Sequence, residues 1–186
     1  QHIARLLWQR QAAYRERYDT EVRLVGVCRS SSGLRCAQGL GADDVLGAEF
    51  EPELSGEAFL QGLQADVLIE AGPSDFATGG MGLVYMRHAL SAGMHVIAVS
   101  KGALALHGQE LLHTAKTHGV QVWVSGATAA ALPTVDFVQR QLAGCEVLAI
   151  EGIFTGTANF ILNQMMHAGM GFDAALRQAQ EAGIAE

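Results

Sequence analysis

The sequence predicts an α/β fold, with a doubly wound parallel sheet followed by the start of a second domain of the α+β type. Short β-branched runs alternate with segments of helical spacing through most of the chain, as in βαβ units. Apolar residues make up 49% of the 186 residues and glycine contributes 22, a composition typical of globular α/β proteins. Beyond Pro133 the alternation gives way to helical segments around a single strand. We therefore expect a parallel sheet with helices on both faces, and then a different architecture.

The elements of the first region are defined by apolar runs and by the glycines that follow them. A helix is expected from the chain start, where Ile3, Leu6 and Leu7 have helical spacing. Gly93 and Gly119 are placed to end two later helices in the left-handed conformation. We predict strands at residues 22–28, 66–70, 95–99 and 120–124, and the later helices at 81–92 and 104–118. This order defines a Rossmann-like, nucleotide-binding architecture, although the fold alone names no reaction.

The second region begins near residues 128–133, and we divide the chain into domains at 1–130 and 131–186. We predict a helix at about 134–143, a strand at 146–154, and helices at 157–168 and 172–182. The single strand has no obvious partner in this region. We therefore expect 131–186 to be part of a substrate-binding or dimerisation domain.

Charge and cysteine content exclude several classes of partner. The formal net charge is −7 and the basic residues are scattered, which predicts neither a nucleic-acid nor a membrane partner and favours a small molecule. The three cysteines, Cys28, Cys36 and Cys145, are too few and too unevenly spaced for a disulfide framework or a zinc site. With no apolar run of about 18 residues and no signal sequence at its start, the protein is expected to be cytoplasmic.

In doubly wound sheets, ligands bind beyond the carboxyl ends of the strands. Arg29, Ser30 and Ser31 follow the first predicted strand, which would be the second in a complete fold, where an acidic residue would hold the ribose 2′-hydroxyl of NAD. An arginine with hydroxyls instead favours the 2′-phosphate of NADP through charge-assisted hydrogen bonds. The alternative is a solvated surface turn, because polar runs after strands are common.

The next strand ends contain a lysine and a carboxylate. Lys101 is one of two lysines in the chain and stands between Ser100 and Gly102, where its ammonium could reach a substrate oxygen. The alternative is an ordinary exposed lysine. Glu70 could brace the loop after its own strand or cap a backbone amide, and Pro73 and Ser74 in that loop could touch a nicotinamide. The seven histidines lack the convergent spacing of metal ligands.

The most specific motifs lie towards the end of the chain. GIFTGTANFIL spans residues 152–162 and FDAALRQAQEAGIAE spans 172–186. The first resembles the pattern G-I-x-N-G-T-x-N-[YF]-I-L of homoserine dehydrogenases, and the second resembles A-L-x-x-A-Q-x-x-G-[YI]-A-E of the same family. VIAVSKGALA at 96–105 resembles the family's strand ending in N-K. The resemblance therefore runs over nearly the whole chain, with Ser100 and Thr155 each replacing a usual Asn.

The resemblance implies an NAD(P)-dependent oxidoreductase that interconverts L-homoserine and L-aspartate 4-semialdehyde in threonine, methionine and isoleucine biosynthesis, and that forms a homodimer. It implies a catalytic role for Lys101 and Glu186, with Glu186 also holding the amino-acid substrate. The remaining implied contacts are cofactor contacts by Ser74, Ser100, Lys101 and Gly183 and substrate contacts by Thr155, Gly156 and Thr157.

A further implication is a monovalent cation such as sodium. The family's cation loop aligns with SGATAAALP at 125–133, so the ligands would be Ser125, Thr128, Ala130 and Leu132, largely through backbone carbonyls. Alanines at 129–131 replace a glycine-rich run, and they tolerate the required backbone only where φ stays negative.

The resemblance also implies truncation at both ends. The glycine-rich dinucleotide fingerprint would precede Gln1, and an Asp-rich segment with a second lysine would follow Glu186. We therefore expect little activity from the 186-residue chain by itself. Two other classes stay open, namely a related dehydrogenase acting on another amino or oxo acid, and a non-catalytic cofactor-binding module.

Overall fold

In the computed structural model, which describes residues 2–47, 49–128, 132–153 and 155–185, the chain divides into two units. The first comprises residues 1–141 and the second residues 142–186. The domain boundary that we place after residue 130 stays a prediction.

The first unit contains both sheets and most of the helices. Its strands are β1 (Gly26–Cys28), β2 (Ser32–Arg35), β3 (Glu51–Pro52), β4 (Val67–Glu70), β5 (His95–Ala98) and β6 (Val122–Trp123). Its helices are α1 (His2–Gln9), α2 (Gln11–Tyr18), α3 (Ala42–Leu46), α4 (Gly56–Leu60), α5 (Gly80–Ser91), α6 (Gly102–Thr117), α7 (Ser125–Thr128) and α8 (Thr134–Asp136). A π-helix, Phe137–Gln141, continues α8, where we had predicted one α-helix.

The predicted parallel sheet is confirmed in the order β4-β5-β6. Val67 lies opposite His95 and Glu70 opposite Ala98, so β4 and β5 end at the same edge. Helices α5 and α6 pack together beside this sheet, and Met86, Leu90, Val96 and Leu111 are fully buried between these elements. The predicted helix ends are also confirmed, since Gly93 and Gly119 have φ of +80° and +69°.

The prediction of a parallel strand over residues 22–28 is wrong. Only Gly26–Cys28 forms a strand, and it pairs antiparallel with β2 in a separate sheet of order β1-β2-β3. Upstream, the carbonyl oxygens of Leu24 and Val25 accept hydrogen bonds from Leu40 and Cys36 outside any ladder. The β-branched run correctly predicts an extended segment, but the strand with which that segment pairs decides which sheet it joins.

The antiparallel sheet is tied to α5 through Tyr85. The Tyr85 hydroxyl lies 3.1 Å from the Cys28 sulfur and accepts a hydrogen bond from the Gly56 N–H at 2.8 Å. Burial, followed by the hydrogen bond to Cys28, raises the pKa of Tyr85 to about 12. Leu54, Phe59 and Leu60 form a small core against the same ring. All three cysteines are free.

The second unit contains the helical pair α9 (Gly156–His167) and α10 (Phe172–Glu181), as predicted. Ile161 of α9 is buried against Ala175 and Ala179 of α10. The predicted strand at 146–154 is wrong for its described part, because residues 146–153 form no strand. Leu148 and Ile153 remain 86% and 78% exposed, consistent with a β-prone run that lacks a sheet partner in this part of the chain.

Candidate functional site

The shared edge of β4 and β5 holds a buried carboxylate. Glu70 is the last residue of β4 and is only 5% exposed. Its Oε1 accepts the N–H of Gly72 at 2.8 Å, and its Oε2 accepts the hydroxyl of Ser100. The expectation that Glu70 braces the loop after its strand is confirmed. Since its carboxylate joins the ends of two neighbouring strands, Glu70 fixes the geometry of this edge.

Ser100 is itself only 6% exposed, and the direction of its hydroxyl is determined by Glu70. Because the single O–H donor is used on the carboxylate, the oxygen of Ser100 can only accept a further hydrogen bond. A β-carbon at Gly82 of α5 would lie 3.2 Å from the Glu70 carboxyl carbon. The absence of a side chain there lets the helix approach the carboxylate closely.

Lys101 follows Ser100 and immediately precedes α6. Its backbone N–H donates to the Ser74 hydroxyl oxygen at 3.0 Å, while the residue as a whole is exposed. A β-carbon at the next residue, Gly102, would lie 2.2 Å from the carbonyl oxygen of Asp75. The start of α6 is therefore pressed against the loop after β4. Three sequence-predicted residues, Ser74, Ser100 and Lys101, are brought together here.

Asp75 orders this loop, and sequence reasoning missed it. Its Oδ1 accepts the N–H groups of Thr78 at 3.0 Å and Ala77 at 2.8 Å, and its Oδ2 accepts the Thr78 hydroxyl at 2.9 Å. The Thr78 backbone N–H, then the Thr78 hydroxyl and the Ala77 N–H, lower the pKa of Asp75. The spacing Asp-x-x-Thr after the breaker residues of the loop was the available signal, since Asp favours such local turns.

Arg29, Ser30 and Ser31 form the turn between β1 and β2, away from a parallel strand end. The N–H of Arg29 donates to the Ser32 carbonyl at 2.7 Å, and the carbonyl of Ser31 accepts the Glu53 N–H at 2.9 Å. The Arg29 guanidinium carbon lies 3.6 Å from the ring centroid of Phe50. Nothing in the sequence around Phe50 indicated this contact.

A second group of predicted residues lies at one end of the α9–α10 pair. Thr155 caps α9 by accepting the Ala158 N–H on its hydroxyl at 3.0 Å. The hydroxyl of Thr157 donates to the Ile184 carbonyl at 2.7 Å, next to Gly183 with φ +68°. Gly156 lies between the two threonines as the first residue of α9. Glu186, the predicted substrate ligand, lies outside the described residues.

Residues 125–128 of the predicted cation segment form the short helix α7. Ser125 and Thr128 lie in α7, and the Ser125 carbonyl accepts the Thr128 hydroxyl at 3.4 Å. The Leu132 carbonyl accepts the Thr134 N–H at 2.9 Å, and Ala130 lies outside the described residues. Two of the proposed carbonyl ligands thus already accept hydrogen bonds, and cation binding stays a prediction. Within the described ranges, no group of His, Cys, Asp and Glu could hold a metal ion, and no helix could cross a membrane.

A parallel sheet with a hydrogen-bonded polar cluster at the carboxyl ends of its strands is typical of doubly wound α/β proteins, which bind ligands at this edge. Family comparison makes this specific. Residues 1–125 match the family "Homoserine dehydrogenase, NAD binding domain", and residues 133–186 match "Homoserine dehydrogenase". The chain belongs to the homoserine dehydrogenase family.

Individual relatives agree with this assignment. A homoserine dehydrogenase from Methanocaldococcus jannaschii is 32% identical over 99% of the chain and 58% of its own length. An NAD(+)-dependent homoserine dehydrogenase from Pseudomonas canavaninivorans is 36% identical over 70% of the chain and 37% of its own length. A crystal structure of a provisionally assigned homoserine dehydrogenase from Archaeoglobus fulgidus superimposes with a TM-score of 0.76 at 28% identity, over 99% of the chain and 57% of that protein. The chain therefore spans less than three fifths of the length of these proteins.

Proposed function

We propose that the protein carrying this sequence interconverts L-homoserine and L-aspartate 4-semialdehyde with a nicotinamide dinucleotide. The observation that carries the proposal is the cluster of Glu70, Ser74, Ser100 and Lys101 at the ligand-binding edge of the sheet, in a chain of this family. A lysine at this edge matches a reaction in which a carbonyl oxygen gains negative charge.

The donor and acceptor set suits the nicotinamide end of the cofactor. Ser100 offers only lone pairs, because its O–H is used on Glu70, so its oxygen can accept an N–H of the carboxamide group. When bound, the cofactor supplies or accepts the hydride. Lys101 holds the carbonyl oxygen of the semialdehyde and gives it a proton as charge develops there. Ser74 holds the Lys101 backbone through its N–H, which restricts the position from which the side chain extends.

We further propose that NADP(H) is preferred to NAD(H). The support is chemical: an exposed arginine and two serines form the β1–β2 turn, and a guanidinium favours a phosphate. The Pseudomonas relative is NAD(+)-dependent, so the preference requires a direct test. Arg29→Asp should reverse the preference, and equal dissociation constants for NADPH and NADH in the parent would contradict it.

The same proposal includes a role in threonine, methionine and isoleucine biosynthesis, a cytoplasmic homodimer, and a monovalent cation bound near residues 125–132. The dimer is what membership of this family implies. Sedimentation of the protein at its natural length tests this point.

Turnover tests the activity itself. The protein at its natural length should oxidise NADPH in the presence of L-aspartate 4-semialdehyde and reduce NADP⁺ in the presence of L-homoserine. Each reaction is followed by the nicotinamide absorbance. L-serine and L-threonine are the control hydroxy amino acids for the reaction with L-homoserine. No turnover in either direction with either cofactor would contradict the proposal.

A further inference from the structure

Arg29 in the β1–β2 turn stacks on the ring of Phe50, and the activity proposed above gives that ring no role. We infer that Phe50 is a specificity-determining residue of the cofactor site, whose ring positions the Arg29 guanidinium for the 2′-phosphate of NADP(H). This inference rests on the proposed preference for NADP(H) and names a residue that sets it.

The backbone of one small sheet positions both partners. Arg29 follows β1, and its N–H is bonded to the carbonyl of Ser32 at the start of β2. Phe50 immediately precedes β3, in which Glu51 pairs with Gly33 of β2. The ring is half-buried whereas Arg29 is exposed, so a packed side chain supports one that extends into solvent. The separation of 3.6 Å between the guanidinium carbon and the ring centroid is well within the range of a cation–π contact.

The ring holds the cation without neutralising it. Arg29 forms no ion pair within the part of the chain that the structure describes. A carboxylate partner would consume both the charge and the N–H donors, whereas an aromatic ring meets only the flat face of the guanidinium. The N–H groups lie in the guanidinium plane, so stacking on the ring leaves them able to donate to a phosphate. A side chain that is already ordered also loses less entropy when it binds.

The charges around Phe50 make this positioning decisive for selectivity. Glu51 and Glu53 are exposed on the same segment, so its own charges are negative and Arg29 supplies the positive charge that a 2′-phosphate requires. Arg29 must therefore be held close to the 2′-phosphate if NADP(H) is to be preferred. NADH, which lacks that phosphate, does not depend on the pair.

A double-mutant cycle on the protein at its natural length tests the inference. Dissociation constants for NADPH and NADH are measured by the fluorescence of the reduced nicotinamide. Phe50→Leu should weaken NADPH binding about threefold to tenfold, while NADH binding changes less than about twofold. This is the scale of one cation–π contact, and the Arg29 guanidinium is no longer held in place before NADPH binds. Phe50→Trp retains a π face and should keep the parental ratio of the two constants or increase it.

Arg29→Ala should weaken NADPH binding about tenfold or more, the scale of a charge-assisted hydrogen bond. In that background Phe50→Leu should have no further effect, because the ring acts only through the guanidinium.

The inference is overturned if Phe50→Leu weakens both cofactors equally, or weakens NADPH as much without Arg29 as with it. Either result would make Phe50 a packing residue. Should Phe50→Leu fail to fold, a loss of NADPH selectivity in Phe50→Trp would overturn the inference equally. If Arg29→Ala leaves the ratio of the NADPH and NADH dissociation constants unchanged, Arg29 does not set the proposed preference for NADP(H). The Arg29→Ala variant alone therefore tests the proposed preference, separately from the role of Phe50.

Discussion

Gly102 lies so close to Asp75 that a β-carbon on it would stand 2.2 Å from the Asp75 carbonyl oxygen. The contact joins the first residue of α6 to the loop after β4. It lies next to the Lys101–Ser74 hydrogen bond, because Gly102 follows Lys101 and Asp75 follows Ser74. Any side chain at position 102 must displace one of the two segments, and with it the backbone of Lys101.

Gly102→Ala should therefore destabilise the protein by about 1–3 kcal/mol, the usual cost of overpacking. Gly108→Ala is the matched control in the same helix, since a β-carbon there meets no atom within 4 Å. Its greater helix propensity should make it neutral or slightly stabilising. Chemical denaturation measures both, and equal stabilities of the two variants would disprove the close contact.

Glu70→Gln should destabilise the protein by about 1–3 kcal/mol, because an amide cannot accept the N–H of Gly72 and the O–H of Ser100 as both carboxylate oxygens do. Glu146→Gln, at an exposed position, should change the free energy of unfolding by less than about 0.5 kcal/mol. Indistinguishable unfolding curves for the two variants would show that the carboxylate does not brace the sheet edge.

The stabilising effect of Asp75 should disappear in acid. The Thr78 and Ala77 donors lower the folded-state pKa, so the charged form is favoured by folding. That contribution is present above the unfolded-state pKa of about 4 and is lost as the pH falls through the lower folded value. The difference in unfolding free energy between the parent and Asp75→Asn should thus shrink as the pH falls below about 4. A difference that stays constant with pH would refute the capping role.

Thr157→Val should destabilise the helical pair by about 1 kcal/mol, since it removes the hydrogen bond from α9 to the Ile184 carbonyl and keeps the side-chain shape. Thr117→Val is the control, because the Thr117 hydroxyl bonds only to the His113 carbonyl within its own helix. Thermal unfolding distinguishes the two. A smaller effect at position 157 than at 117 would argue against the tie between α9 and the turn after α10.

Sequence reasoning found the parts of the fold whose signal is local. Strands β4 and β5 were predicted from short apolar runs, and α5 and α6 from helical spacing that ends at Gly93 and Gly119. Sequence reasoning failed at residues 22–28 and 146–153, although both runs are rich in β-branched residues. A strand's sheet is decided by the strand with which it pairs, and the local sequence does not specify that partner.

The same distinction applies to the site. The rule that ligands bind at strand ends predicted Ser74, Ser100 and Lys101. In the structure the Lys101 N–H donates to the Ser74 hydroxyl, and the hydroxyl of the adjacent Ser100 donates to Glu70. The contacts of Gly102 with Asp75 and of Arg29 with Phe50 join segments distant in sequence. No composition or spacing indicates such pairs, because they depend on how the loops pack.

In the proposed reaction Lys101 acts on the substrate oxygen, and kcat/KM for L-aspartate 4-semialdehyde is the most direct test of this role. In the protein at its natural length, Lys101→Ala should lower kcat/KM about 10²-fold or more, the usual scale for a positioned proton donor. The dissociation constant for NADPH should change far less. Lys116→Ala, at an exposed position of α6, is the matched control and should retain the parental value. Lys101→Arg should restore only part of the activity, because a guanidinium does not release a proton near neutral pH. A folded, NADPH-binding Lys101→Ala variant with parental kcat/KM would contradict the account.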